Sequence, residues 1–443
     1  MNPPAVATNA EALLAQHAEQ VESDRYAQDE RWGQSGWTRR RFLAGLGMVG
    51  VAALGSQLVT TRVAYAAPGV SNGNTLVTVF LRGAADGLRI LVPAGSQLGG
   101  DYLRSVRGPL VPADAALLSL DGAPGWALNS ALAPLRPFWA SKELAFVPAV
   151  SATGVSRSHF QAQQFLERGG SDTLSTGWLD RTLQQLGPGT TFRAVSQGSA
   201  QPPSLSGAQS KLAMDSLKSF SFPGWSGVTA SSEAAITALY RGVGGSLGAD
   251  VPTTLAALSS AEIARSKFSA VGNGAHYPSG HFGSAMADLA TMLRAELGLQ
   301  VATVDVGGWD THTNEAGDLD AQLSSAATVL SAFLTDLGPV RRKRVTIVVM
   351  TEFGRRVAMN DSGGSDHGHG SLMWLLGGGL AGGQVHGRWD SLSDQVLDDG
   401  DVPGLNNAFD VLGELASRRL GVAALGPVFP GHLMSPVGVT AGA

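Results

Sequence analysis

Apolar residues fall into five short, nearly unbroken runs, and each run borders a polar cluster. Residues 75–81 form the first, which stops at Arg82-Gly83-Ala84-Ala85-Asp86-Gly87. Residues 144–150 form the second and lead into the stretch ending at His159. Residues 299–306 run into Gly307-Gly308-Trp309-Asp310-Thr311-His312, and residues 344–350 into Thr351-Glu352-Phe353-Gly354. The fifth, residues 372–376, follows Asp366-His367-Gly368-His369-Gly370. Runs without polar alternation predict strands buried on both faces. Between them, Met286, Leu289, Ala290, Leu293 and Leu297 recur at helical spacing, as do Leu323, Ala326, Ala327, Leu330, Phe333, Leu334 and Leu337. Ala131, Leu132, Leu135 and Trp139 mark another helix, and residues 161–168 a further one. This alternation predicts an α/β fold: a doubly wound, mostly parallel sheet with helices on both faces. Function in such sheets gathers at the carboxyl ends of the strands. Four of the five clusters fall there, and the fifth can fold back to the same rim. Residues 185–280, rich in Ser, Gly, Ala and Pro, are expected to form an inserted lid.

The N-terminal region follows a different pattern. Residues 1–37 are polar, and Thr38-Arg39-Arg40-Arg41-Phe42-Leu43 follows. A weakly apolar run, residues 43–59, is diluted by Gly45, Gly47, Gly50 and Gly55, and the segment closes on Ala64-Tyr65-Ala66. Positive charge, a moderate apolar stretch and a small-residue end predict a signal peptide. The paired arginines specify the twin-arginine route. The expected division is therefore residues 1–66 as signal and extension, and residues 67–443 as the domain. The twin-arginine translocase is the expected partner during export, and the location periplasmic or secreted. No stable membrane span is expected after cleavage, because no other segment reads as long and apolar enough. Export after folding suits a protein that loads a metal first.

Composition narrows the chemistry. The 443 residues are 44% hydrophobic, enough for a sizeable core. The 31 Lys and Arg against 36 Asp and Glu give a net charge of −5, so no basic excess exists to bind nucleic acid. The absence of cysteine excludes disulfides, thiolate nucleophiles, Cys-bound zinc and iron–sulfur clusters.

Four of the nine histidines, His159, His312, His367 and His369, sit in compact motifs rich in Asp, Ser or Gly. Imidazole and carboxylate together form the ligand set of zinc, manganese or a similar divalent metal. Asp310 and His312 share one loop; Asp366, His367 and His369 share another; Asp86 and Glu352 end strands at the same rim. These seven residues are the candidate ligands for one or two ions, and two ions can stabilise both the attacking and leaving oxygens of an in-line displacement. Ser158 precedes a helix and reads either as its N-cap or as a nucleophile facing the free N–H groups of that terminus. Arg157 is a candidate anion clamp, and His159 completes the catalytic candidates. Trp178 and Arg181 could line the pocket, with core packing favoured for Trp178, and His386 reads as structural.

Taken in order, Arg82-Gly-Ala-Ala-Asp-Gly87, Arg157-Ser-His-Phe160 with Glu167-Arg-Gly169, Thr176-Gly-Trp178, Asp310-Thr-His312, Thr351-Glu-Phe-Gly-Arg-Arg356 and Asp366-His-Gly-His-Gly370 resemble the bacterial domain-of-unknown-function 1501 family, whose members are exported with twin-arginine signals. That family is similar to the alkaline phosphatase, sulfatase and cofactor-independent phosphoglycerate mutase superfamily. The resemblance implies an alkaline-phosphatase-like core with metal at the strand ends. Asp86 then matches the first Asp, Ser158 (or Ser156) the nucleophile, and Asp310 with His312 the Asp…His pair. Two placements compete for the rest. By motif text, Asp366-His367 is the Asp-His pair and His386 the final His. By strand position, which is preferred, Glu352-Phe353 takes that slot and His367 or His369 supplies the final His. The expected function is an exported metal-dependent hydrolase of a phosphate or sulfate ester, with Ser or metal-bound water as nucleophile. Its substrate is a small anionic ester or an anionic polymer. The alternative is a non-catalytic envelope protein on a phosphatase-like scaffold, aiding assembly or secretion of surface material.

Overall fold

The computed structural model describes residues 73–442 apart from 153–155, 172, 199–200, 210, 222–228 and 241–244. The expected signal peptide lies outside the described residues.

The strands in chain order are β1 (Thr75–Leu81), β2 (Leu91–Pro93), β3 (Leu117–Ser119), β4 (Trp126–Asn129), β5 (Leu144–Ser151), β6 (Ala194–Gln197), β7 (Leu212–Met214), β8 (Val301–Val306), β9 (Val345–Met350), β10 (Ser371–Gly377), β11 (Gln384–Val385) and β12 (Asn406–Asn407). Nine of them build one mixed, mostly parallel sheet in the order β11-β5-β10-β9-β1-β8-β6-β7, with β12 also paired to β5. β2, β4 and β3 form a small antiparallel sheet beside it. In the large sheet only β10 runs against its neighbours β9 and β5. Because of that reversal, β10 begins at the edge where β9 ends. Residues 351–370 therefore stay at one rim.

β1 is buried at every position, and its side chains divide by the two-residue period of a strand. Val77, Val79 and Leu81 face a core built with helices Gly245–Lys267, His281–Arg294 and Glu315–Arg341. Leu76 and Phe80 face the opposite core, closed by helices Trp178–Gln185 and Ala408–Leu415. Helices thus cover both faces, which is why the sequence shows no polar alternation.

Three elements differ from expectation. Residues 194–214, inside the stretch read as a lid, contribute β6 and β7 to the sheet edge. The helix expected around Ala131–Trp139 divides into a 3₁₀ segment, Ser130–Leu135, and a short α-helix, Arg136–Ala140. Pro134 and Pro137 each lack the N–H a continuous helix needs there. The stretch Glu315–Arg344 is long and apolar enough to cross a membrane by composition, contrary to the sequence reading, but 61% of its apolar window is buried inside the protein. It is a core helix.

Candidate metal centre

Three loops meet at the carboxyl rim: residues 82–87 after β1, 307–312 after β8, and 351–370 between β9 and β10. They approach so closely that two positions must lack a side chain. A Cβ on Gly83, whose φ is +122°, would lie 2.5 Å from the Asp310 backbone nitrogen. A Cβ on Gly364 would lie 2.4 Å from the His312 carbonyl carbon. Arg355 ties the loops together. Its buried guanidinium donates to the carbonyls of Ala84 (2.7 Å), Gly83 (2.8 Å), Ser365 (2.8 Å) and Trp309 (3.1 Å), and to Asp310 Oδ1 (2.7 Å).

Above this knot, three imidazoles and one carboxylate converge. His367 Nε2 lies 3.1 Å from His159 Nε2, 3.0 Å from His312 Nε2 and 3.0 Å from Asp310 Oδ1. His312 Nε2 is 3.1 Å from Asp310 Oδ1, and His159 Nε2 is 3.5 Å from Asp310 Oδ2. His159, Asp310 and His367 each offer one ligand atom to a common point. Donors about 2.0–2.1 Å from a tetrahedral ion lie about 3.3 Å from one another, the spacing found here.

The outer ring nitrogens have partners of their own. His159 Nδ1 is 2.7 Å from Glu352 Oε1, His367 Nδ1 is 3.1 Å from the Arg157 carbonyl, and His312 Nδ1 is 3.3 Å from Asp366 Oδ1. Each outer partner is an acceptor, and Asp310 Oδ1 is likewise an acceptor facing Nε2 of His367 and of His312. An outer acceptor behind each ligand histidine is the usual support of a metal site.

The carboxylates are tuned for this. Burial pushes Asp310 up, but hydrogen bonds from His367 and Arg355 outweigh it and hold its pKa below the ordinary carboxylate value. Burial likewise pushes Glu352 up, and hydrogen bonds from its own backbone N–H, Gln163, His159 and Thr351 bring it below the ordinary value. The Asn360 amide, followed by His312, lowers Asp366.

His159, Asp310 and His367 therefore come together, and His312 lies against Asp310 and His367. Glu352 and Asp366 stand behind histidines rather than at the point itself. Asp86 is placed elsewhere: one oxygen accepts from the Leu88 N–H at 3.2 Å and the other pairs with the buried Arg107. His369 also turns away, with Nε2 2.7 Å from Ser151 Oγ. Arg157 pairs with Asp401 at 2.7 Å. Ser158 is exposed and holds the N-cap position of helix His159–Arg168 without a side-chain capping bond. Trp178 is buried against Phe429, Arg181 holds the Val428 carbonyl, and His386 Nε2 lies 2.6 Å from the Ala381 carbonyl. Sequence reasoning gave no site role to Gln163 and Asn360, whose polar side chains carry no motif signal, nor to Thr351 and Arg355, which stand inside a quoted motif.

Beneath the centre, Glu315 and Asp86 are both fully buried near Arg107. Ser365 Oγ donates to Glu315 Oε2 at 2.5 Å. Burial and then the charge of Asp86 push Glu315 up to about 8. The folded chain thus holds a proton that the unfolded chain releases at its ordinary value of 4.5. The contribution of Glu315 to stability is full below that value and is lost as pH rises towards about 8. Urea unfolding across this window should show that decline, and Glu315→Gln, which mimics the protonated form, should flatten it. An unchanged slope in the variant would remove Glu315 as the cause.

Fold and centre together define a mixed α/β protein with a His/Asp ligand cluster at the carboxyl rim of a mostly parallel sheet. The chain belongs to the DUF1501 family. The model of that family, described as a protein of unknown function, matches residues 147–429, a span that includes all four converging side chains. Comparison with curated proteins gives no match.

Proposed function

We propose that this protein is an exported, metal-dependent hydrolase of a phosphate or sulfate ester, related to the alkaline phosphatase superfamily. The observation that carries the reading is the grouping of ligand atoms from His159, Asp310 and His367, with His312 Nε2 3.0 Å from His367 Nε2. His159, Asp310, His312 and His367 hold one divalent cation. Arg107 already occupies the carboxylate of Asp86, which favours one ion over two. A cation there supplies Lewis acidity, polarising an ester oxygen and lowering the pKa of water. Glu352, Asp366 and the Arg157 carbonyl hold the three rings in place. The exposed Ser158 hydroxyl stands at the helix N-terminus beside His159, where the positive end of the dipole favours an anion. The twin-arginine motif supports export, and residues outside the central sheet between 215 and 280 support a cover over part of the core.

One observation favours the non-catalytic alternative. The Arg157 guanidinium is engaged by Asp401 at 2.7 Å, so it must exchange partners to grip an anion. Elemental analysis of the purified chain and a panel of aryl phosphates and sulfates separate the readings. The hydrolase reading expects about one divalent ion per chain, and ester turnover that Asp310→Ala abolishes. Turnover unchanged in that variant, or a chain that binds no metal, rejects it. Bound metal without turnover of any ester favours the scaffold.

A further inference from the structure

From the contact between Ser151 and His369 we infer a second reactive centre at this rim, an activated serine that takes carboxylic esters. It is separate from the metal-dependent activity proposed above. Ser151 is the last residue of β5, and its Oγ lies 2.7 Å from His369 Nε2. Both side chains are partly open to solvent.

The backbone beside this contact is distorted. Ala149, two residues earlier and inside the strand, has φ +51°, a conformation that is uncommon for alanine. The pairing of β5 with β10 shifts register between Ser371 and Met373 at the same place. Strain of this kind is retained where the surrounding structure enforces it, and it gathers at functional sites. Gly404 closes over the pair, and a Cβ there would lie 2.5 Å from Ser151 Cβ and 3.2 Å from His369 Cε1.

Two buried polar atoms beside the pair have no hydrogen-bond partner, His369 Nδ1 and Asp401 Oδ1. Asp401 is 1% exposed, and its charge acts on the His369 ring. Ser151 and His369 are the residue types of a nucleophile and its base, while Asp401 is held by Arg157 at 2.7 Å and Arg356 at 3.5 Å and makes no hydrogen bond to His369 Nδ1. Arg157 and Arg356, the cations beside the pair, are already engaged by Asp399 and Asp401, so a neutral carboxylic ester is accepted more readily than a phosphate or sulfate.

The chemistry balances without a further reactant. Ser151 Oγ bonds to the ester carbonyl carbon while its proton passes to His369 Nε2. Collapse of the adduct breaks the bond to the alcohol, which leaves with that proton. Water then repeats the sequence on the acyl-serine, releasing the acid and restoring Ser151.

A fluorophosphonate probe reads this directly. Attack by Ser151 forms an oxygen–phosphorus bond and expels fluoride, leaving an adduct that peptide mass spectrometry locates. The full-length chain is expected to carry one adduct on Ser151. Labelling should be lost in Ser151→Ala and slowed at least about tenfold in His369→Gln. It should persist in Asp310→Ala and in the presence of a chelator, which separates this centre from the metal-dependent one. Aryl acetate turnover should vanish in Ser151→Ala. A wild-type chain without adduct at Ser151, or equal labelling rates in wild type and His369→Gln, overturns the inference.

Discussion

His367→Ala is expected to release the bound divalent metal and to abolish any ester hydrolysis that depends on it. His367 Nε2 lies within about 3 Å of His159, His312 and Asp310 together, so its ring touches each of the other three. Removing it opens the cage and leaves two imidazoles and a carboxylate. We expect metal affinity to fall at least about a thousandfold, measured by competition with a chromogenic chelator. Glu352→Gln provides the graded comparison. It keeps an oxygen near His159 Nδ1 but removes the charge, and outer-shell changes of this kind cost about 10–100-fold in affinity. Equal affinities for wild type and His367→Ala would dismiss the metal centre. The effect should appear without loss of fold, because His367 is partly exposed and lies outside the buried clusters.

Arg355→Met should have the largest effect on stability. The Arg355 side chain is fully enclosed and bonds four carbonyls and the Asp310 carboxylate. Methionine matches much of its length but donates nothing. Five acceptors lose their partner, one of them charged, and breaking a buried pair in this way costs about 3–5 kcal/mol. Urea unfolding should show a lower midpoint by that measure. Arg355→Lys should recover little, since a single ammonium cannot reach carbonyls on three loops. Because Asp310 loses its anchor, metal affinity should fall as well. A midpoint within 0.5 kcal/mol of wild type, taken as roughly the scatter of neutral surface changes, would show that Arg355 does not hold the loops.

The long strands are legible in the sequence because burial on both faces leaves no polar position to interrupt them. β6 and β7 are not, because they are short and lie in a Ser- and Gly-rich stretch where two or three apolar residues give no period to read. The return of the Asp366–Gly370 cluster to the rim depends on the reversed direction of β10. An apolar run alone does not encode its direction. The residue types of the centre are equally visible: Asp310, His312, His367 and His159 stand in motifs. What spacing does not distinguish is a carboxylate at the point of convergence from one behind a ring. Glu352 and Asp310 are both acidic residues just past a strand, and only the tertiary path of helix His159–Arg168 places a histidine in front of Glu352. Asp86 is similar. Its partner Arg107 lies 21 residues away on another helix, and nothing local announces the pair.

The converging side chains are far apart along the polypeptide, with His159 and His367 separated by 208 positions. No contiguous fragment can therefore reproduce the cage, and an ion that binds only the finished arrangement adds its binding free energy to the completed state alone. Occupancy becomes a signature of successful maturation. A chain that has taken up its ion has already joined the helix after β5, the loop after β8 and the loop before β10. Under metal starvation, the population lost should consist of whole molecules rather than of detached segments.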